Sequence, residues 1–173
     1  MRIAEKIVVG DNLKVIYIGG KEEYVTITGI DDIKYRNVHD PISAGSTEAY
    51  TEVTDLDPPP GQLYWIGRIV VDGNVKVYLK QPAATDRWGT NKSPSGGLIE
   101  GLPQSFSDDI ALETDIWIAE DYPPSVQITN DTPVSITPVL WWYGKRFSYQ
   151  TLSPTHRRPP VRYYTIKIGG ISD

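Results

Sequence analysis

The chain has no cysteine, one methionine, two phenylalanines and two histidines in 173 residues. Without cysteine there is no disulfide framework and no thiolate metal site, and the absence suits a reducing compartment and a thermally harsh one equally. With His39 and His156 as the only imidazoles, clustered His/Cys metal centres are excluded too. No segment approaches the roughly 18 apolar residues of a membrane-spanning helix. Met1-Arg2-Ile3-Ala4-Glu5-Lys6 lacks the apolar core of an export signal, so the expectation is synthesis in the cytoplasm with no Sec-type route. An apolar period of 3.6 nowhere persists over ten residues. Almost no helix is expected, beyond one turn at Leu112 and its acidic neighbours.

What is abundant is tyrosine and tryptophan, 11 and 5 against the 2 phenylalanines. Both residue types join a large apolar body to a polar tip, which suits half-buried sheet faces and contact surfaces. They are also simply good strand formers. The formal charge of −5 is uneven along the chain: residues from Val139 onward sum to +5, leaving −10 for Met1 to Pro138. An acidic body with a basic end could dock copies head to tail or meet an acidic partner.

Period-two alternation organises the chain. Leu13 to Ile18 is apolar on both faces and returns through Gly19-Gly20-Lys21-Glu22 into Tyr24 to Thr28, a first hairpin. After a break at Gly29, Ile30 to Tyr35 is a short strand, and Glu48 to Val53 is another. Leu63, Trp65, Gly67, Ile69 and Val71 share a face. Across Gly73-Asn74 so do Val75, Val77 and Leu79, which predicts a hairpin over Gln62 to Lys80. The opposite face of its first strand, Tyr64, Ile66, Arg68 and Val70, is more apolar than a solvent face should be.

Asp115 to Ala119 is a short buried strand. A third hairpin is predicted around Asn130-Asp131, from Ser125–Thr129 to Pro133–Tyr143. In its second strand Trp142 and Leu140 share one face, while Val139, Trp141 and Tyr143 make the other apolar as well. The chain then turns after Gly144 into Phe147 to Leu152, and ends on a strand from Val161 to Ile168. These elements predict one all-β domain over residues 1–173, an antiparallel β-sandwich of about 8–10 strands in a jelly-roll-like arrangement. Its connections include Pro-rich stretches at 57–61 and 153–160 and a long loop at 81–104.

Candidate chemistry is sparse. His39, Asp40 and Ser43 lie close in sequence, but proximity is not triad geometry and no Gly-x-Ser-x-Gly elbow exists. Calcium ligands could come from Asp31 and Asp32, Asp55 and Asp57, or Asp108 and Asp109, none at EF-hand spacing. No cofactor is implied. The sequons at Asn91 and Asn130 are taken as coincidence. Basic residues interleave with aromatics at Lys145-Arg146-Phe147, His156-Arg157-Arg158 and Arg162-Tyr163-Tyr164, yet the acidic body disfavours nucleic acid.

The resulting expectation is a non-enzymatic structural protein of a virion (capsid, decoration or tail) or other extracellular assembly. It would associate with itself or with neighbouring structural proteins through apolar-aromatic sheet faces and extended arms, the last strand pairing with a neighbour's sheet edge. The contact residues expected are Arg87 and Trp88 in the long loop, Trp141, Tyr143, Lys145 and Arg146 in the late strand, and Arg157, Arg158 and Tyr163 near the end. A carbohydrate-binding module, with Trp88, Trp141, Trp142 or Tyr143 stacked on sugar rings, is the alternative.

Overall fold

The computed structural model describes residues 2–17, 21–80, 103–106, 110–153 and 162–168. It is all-β, with two sheets. In chain order the strands are β1 (Asn12–Ile16), β2 (Glu22–Val38), β3 (Ser46–Thr47), β4 (Thr51–Glu52), β5 (Gln62–Asp72), β6 (Val75–Lys80), β7 (Pro103–Phe106), β8 (Ile110–Ile118), β9 (Ser125–Asn130), β10 (Val139–Thr151) and β11 (Tyr163–Lys167). A single short helix, α1 (Ile3–Lys6), and a 3-10 turn at Thr54–Leu56 complete the described elements. The larger sheet runs β11-β1-β2-β10-β5-β8, and the smaller runs β3-β9-β6-β7 with β4 also on β9. The β1–β11 pairing is parallel and the other strand pairings are antiparallel.

The larger sheet curls until its edges touch. A parallel bridge between Trp117 and Ile168 joins the β8 edge to the β11 side. Inside this closed end lies one core, to which all six strands contribute: Leu13 and Val15, Val25 and Ile27, Leu63 and Trp65, Phe147, Trp117, and Ile166 with Ile168. Helix α1, with Ala4, and Ile7 just after it plug its mouth. Arg2 fastens the plug by donating to the carbonyls of Gly67 and Thr114, both at 2.6 Å, while its guanidinium stacks 4.9 Å from the Trp65 ring.

A second core lies between the two sheets. Ile33, Ile66, Ile69, Val71, Leu140 and Trp142 from the larger sheet meet Val75, Val77, Leu79, Val126 and Ile128 from the smaller. The long strands β2, β5 and β10 serve both cores, on opposite faces. In β5, Leu63 and Trp65 point into the closed end while Tyr64 and Ile66 point between the sheets. Gly67 is an extra residue, skipped in the register with both β8 and β10, and beyond it Ile69 and Val71 take up the inter-sheet face. The single face expected for Leu63 through Val71 is therefore split by a β-bulge, which shifts the alternation by one. Glycine is required there, since a Cβ at Gly67 would strike the Trp65 ring.

Several local expectations change. β5 and β6 do not pair with each other: Gly73, at φ 131°, turns the chain from one sheet onto the other, so that Val71 and Val75 enter the same core. Nor do β9 and β10 form a hairpin, because they lie in different sheets. Asn130 organises that crossing. Its buried amide donates to the carbonyls of Ile42 at 2.9 Å, Val134 at 2.8 Å and Ser43 at 3.3 Å, and its Oδ1 accepts from the Thr132 backbone and hydroxyl. That is an Asx-type loop, and Ile136 bridges to Ile42 instead of a β9 residue.

Gly29 and Gly144 are not breaks, for β2 and β10 run straight through them. Gly144 is a point of close approach, where a Cβ would collide with the Trp65 carbonyl. Leu112 lies in β8 and not in a helical turn. Of the span expected at Glu48 to Val53 only Thr51–Glu52, β4, is strand, and β3 ends just before it. Only the first hairpin, β1 with β2, pairs as expected. β11 pairs along one edge with β1 of its own chain and is terminal in the sheet order. Of the loop at 81–104 only Pro103 and Gln104, in β7, lie within the described residues, and of the Pro-rich stretch at 153–160 only Ser153. The stretch at 57–61 is a fastened connection: Pro58 is buried and Asp57 Oδ1 accepts the Asp121 amide at 2.8 Å.

Candidate binding face

Where the two sheets overlap, one face of β2, β10 and β5 packs inward and the other is open. Directly opposed residues of paired strands share a face, so the register builds that surface row by row. Arg36, Trp141 and Val70 form one row; Lys34, Tyr143 and Arg68 the next; Val38, Val139 and Asp72 the row above; Asp32 and Lys145 the row below. Trp141, Tyr143, Val139 and Lys145 are half-buried in the middle strand, while Lys34, Arg36, Val38 and Arg68 at the flanks are exposed.

The flanking cations lean over the central rings. Lys34 Nζ lies 5.5 Å and Arg36 Cζ 5.7 Å from the Trp141 ring, and Arg68 Cζ lies 5.7 Å from the Tyr143 ring. In water each such contact stabilises by about 0.5–1 kcal/mol, rising to about 2 when the pair is desolvated. Covering this face would therefore strengthen contacts that already exist. Asp32, Asp72 and Glu113 share it, and Glu113 is engaged by Arg2 at 3.3 Å.

The expected contact residues do not assemble into one site. Trp141, Tyr143 and Lys145 share the open face. Arg146 points the other way, with its guanidinium 5.4 Å from the Tyr64 ring. Tyr163 is on β11, edge-on to Tyr24 at 5.1 Å and 70°, and its buried hydroxyl has no hydrogen-bond partner among the described residues. Arg87, Trp88, Arg157 and Arg158 lie outside the described residues. Of the side chains that made strand faces look doubly apolar, Tyr64 and Ile66 are buried within the chain's own inter-sheet core, whereas Trp141 and Tyr143 are not fully covered. Trp142 is wholly buried, which removes it from sugar stacking.

Of the basic residues after Val139, Lys145 and Arg146 lie in a central strand of the sheet, opposite Asp32 and Asp31. Lys34, Arg36 and Arg68 were missed as members of the face. Their signal was present in the alternation of Lys34, Arg36 and Val38 with Ile33, Tyr35 and Asn37, which continues past Tyr35.

His39 is committed to structure. Its Nε2 lies 2.9 Å from Glu48 Oε1 and its Nδ1 3.0 Å from the Asp40 carbonyl, with both side chains largely buried. Burial raises the Glu48 carboxyl above the ordinary range, and the His39 charge partly offsets this. Asp31 and Asp32, adjacent in β2, point to opposite faces. Asp55 accepts the Tyr35 hydroxyl at 2.6 Å, and Asp57 holds the Asp121 amide. Asp108 and Asp109 lie outside the described residues. Compared with known proteins, the chain matches no family model and no curated sequence.

Proposed function

We propose that this chain is a non-enzymatic assembly protein whose docking surface is the open face centred on Trp141 and Tyr143. The observation that carries the reading is that two large aromatics sit half-buried under Lys34, Arg36 and Arg68, on a strand whose opposite side fills a core. Trp, Tyr and Arg are the residues that most often dominate interface energetics when water is excluded. A carboxylate-bearing surface suits this face, and a chain with net charge −5 offers one on another copy of itself.

The place of work we propose is a virion, as capsid, decoration or tail component, or a comparable extracellular assembly, with self or a neighbouring structural protein as partner. The jelly-roll-like sandwich belongs to the same proposal. Two sheets facing each other across a shared core support it, and the curled end with its parallel β1–β11 pair is an addition to that plan.

Sedimentation from about 10 μM to 1 mM tests the reading. The wild type is expected to associate with concentration, and Trp141→Ala to remain monomeric with an unchanged melting temperature. A wild type that stays strictly monomeric throughout and recovers no structural partner from its source overturns it.

A further inference from the structure

We propose that a second site, at the closed end of the larger sheet, binds an organic cation: an ammonium or guanidinium group presented by a small amine or by a side chain of another protein. A cavity of about 320 Å³ opens there between Tyr17, Tyr122 and Tyr149. The Tyr17 and Tyr122 rings lie 6.0 Å apart at 44°, so they form a corner and not a flat stack. Glu23, Glu120 and Asp121 line the same cavity.

The chain itself shows which chemistry the corner accepts. Lys21 Nζ stands 5.3 Å from the Tyr17 ring centroid and 3.1 Å from Glu23 Oε1, so an ammonium already uses one ring and one carboxylate. Three carboxylates against that single ammonium leave two formal negative charges, and among the described residues neither Glu120 nor Asp121 has an ion-pair partner. An anion is repelled by this set, while a cation gains both the ring faces and the carboxylates.

The titration of the tyrosines agrees. Burial first, then the Glu23 carboxylate, hold the Tyr17 phenol proton far above its ordinary range, and burial with Glu23 and Glu120 raises Tyr149. Only the carboxylate share of that rise bears on a ligand, since Glu23 and Glu120 disfavour a further negative charge and favour a positive one, whereas burial opposes either.

The site is also preformed. Asp121 sits at φ 69°, an uncommon conformation for a non-glycine residue, with its amide tied to Asp57 at 2.8 Å, and the Tyr122 amide is tied to the Ala119 carbonyl at 3.0 Å. A fixed backbone beneath the carboxylates and rings lowers the ordering cost of binding. Tyr149 and Trp141 are eight residues apart on β10, roughly 26 Å at strand rise, so this site stands whether or not the open face docks a partner.

Lys21 is exposed, and as the resident cation it competes with a ligand; its removal is the distinguishing test. Calorimetric or NMR titration would use n-butylammonium, n-butylguanidinium and an end-blocked tripeptide with central arginine, against n-butanol and cellotriose as neutral controls. Saturable binding of the cations in the millimolar range is expected, about 3- to 10-fold tighter in Lys21→Ala and about tenfold weaker in Glu23→Gln/Glu120→Gln. Tyr17→Phe, which keeps the ring, is expected to bind as the wild type does.

A tripeptide that binds about tenfold better than n-butylguanidinium assigns the cation to a protein partner, and equal binding assigns it to a free amine. Three results overturn the site: no saturation by about 100 mM, weaker binding in Lys21→Ala, or tighter binding of cellotriose than of either cation. Thermal melting of each variant separates lost folding from lost binding, and Lys21→Ala carries no folding risk because its side chain is solvated.

Discussion

The closed end of the larger sheet and its open end are made from the same strands, yet they treat one and the same face in opposite ways. At the closed end that face carries Leu63, Trp65, Val25, Ile27 and Phe147 and is wrapped into a core by β1, β11, β8 and α1. At the open end it carries Trp141, Tyr143, Lys34, Arg36 and Arg68, and nothing in the described chain closes over it. The reverse face does not mirror this: it is inter-sheet core at Leu140 and Trp142, and still core at Tyr64 and Ile66, directly behind Leu63 and Trp65 of the closed end. A strand apolar on both sides is thus covered twice where the two cores lie back to back, as at Leu63 to Ile66, and on one side only beyond that, as at Trp141 and Tyr143.

The largest effects test whether the two cores are independent. Trp142 and Phe147 occupy one strand on opposite faces, each fully buried in a different core. Alanine at either position is expected to cost about 3–5 kcal/mol by urea denaturation. The milder pair Trp142→Phe and Phe147→Leu keeps the double variant folded for measuring coupling, and additivity within about 0.5 kcal/mol is expected. A coupling energy above about 1 kcal/mol would mean that the molecule has one core and not two.

A smaller effect concerns the junction between the ends. Gly144→Ala drives a Cβ into the Trp65 carbonyl and close to Ile66 Cα, neither of which can swing aside, so a loss of about 2–3 kcal/mol is expected. Gly29→Ala, also within a long strand, would place its Cβ 3.6 Å from that of Ser148, an ordinary contact. Its stability is expected to stay within about 0.5 kcal/mol of wild type. Equal melting temperatures for the two variants would refute the account of the junction.

The smallest effect reads the closed end by pH. Burial raises the Asp115 carboxyl, although the hydrogen bond from Trp65 Nε1 at 2.6 Å partly counters it. Between the ordinary aspartate range and that raised value, the native state binds more protons than the unfolded chain. Asp115's contribution is therefore greatest below the ordinary range and is lost as pH rises through the raised value. Asp115→Asn keeps an acceptor for Trp65 and removes the charge. Its melting temperature is expected to gain on the wild type as pH rises through that window, and parallel curves would exclude the effect.

Much of the strand content was legible in the sequence, since period-two alternation is set by backbone geometry that each segment carries locally. It located the β1–β2 hairpin, the buried faces of β6 and β9, and the two-sidedness of β5 and β10. It failed at Gly73-Asn74 and Asn130-Asp131, where turn-forming residues were joined to the nearest strand in sequence. There the chain crosses between sheets, and Asn130 uses its side chain to fasten the crossing. The cation corner was invisible, because Tyr17, Glu23, Glu120 and Tyr149 meet only after four separate segments have been brought together.

By itself, then, the order of residues determined that this would be a β protein, rich in Tyr and Trp and without thiol chemistry, with strands apolar on both sides. Which strand sits beside which, where each face is buried, and which aromatics stay open to cations were decided by the tertiary structure. The physical reason is that alternation tells which side chains point the same way, whereas strand partners are chosen by hydrogen bonds and packing between segments far apart in the chain.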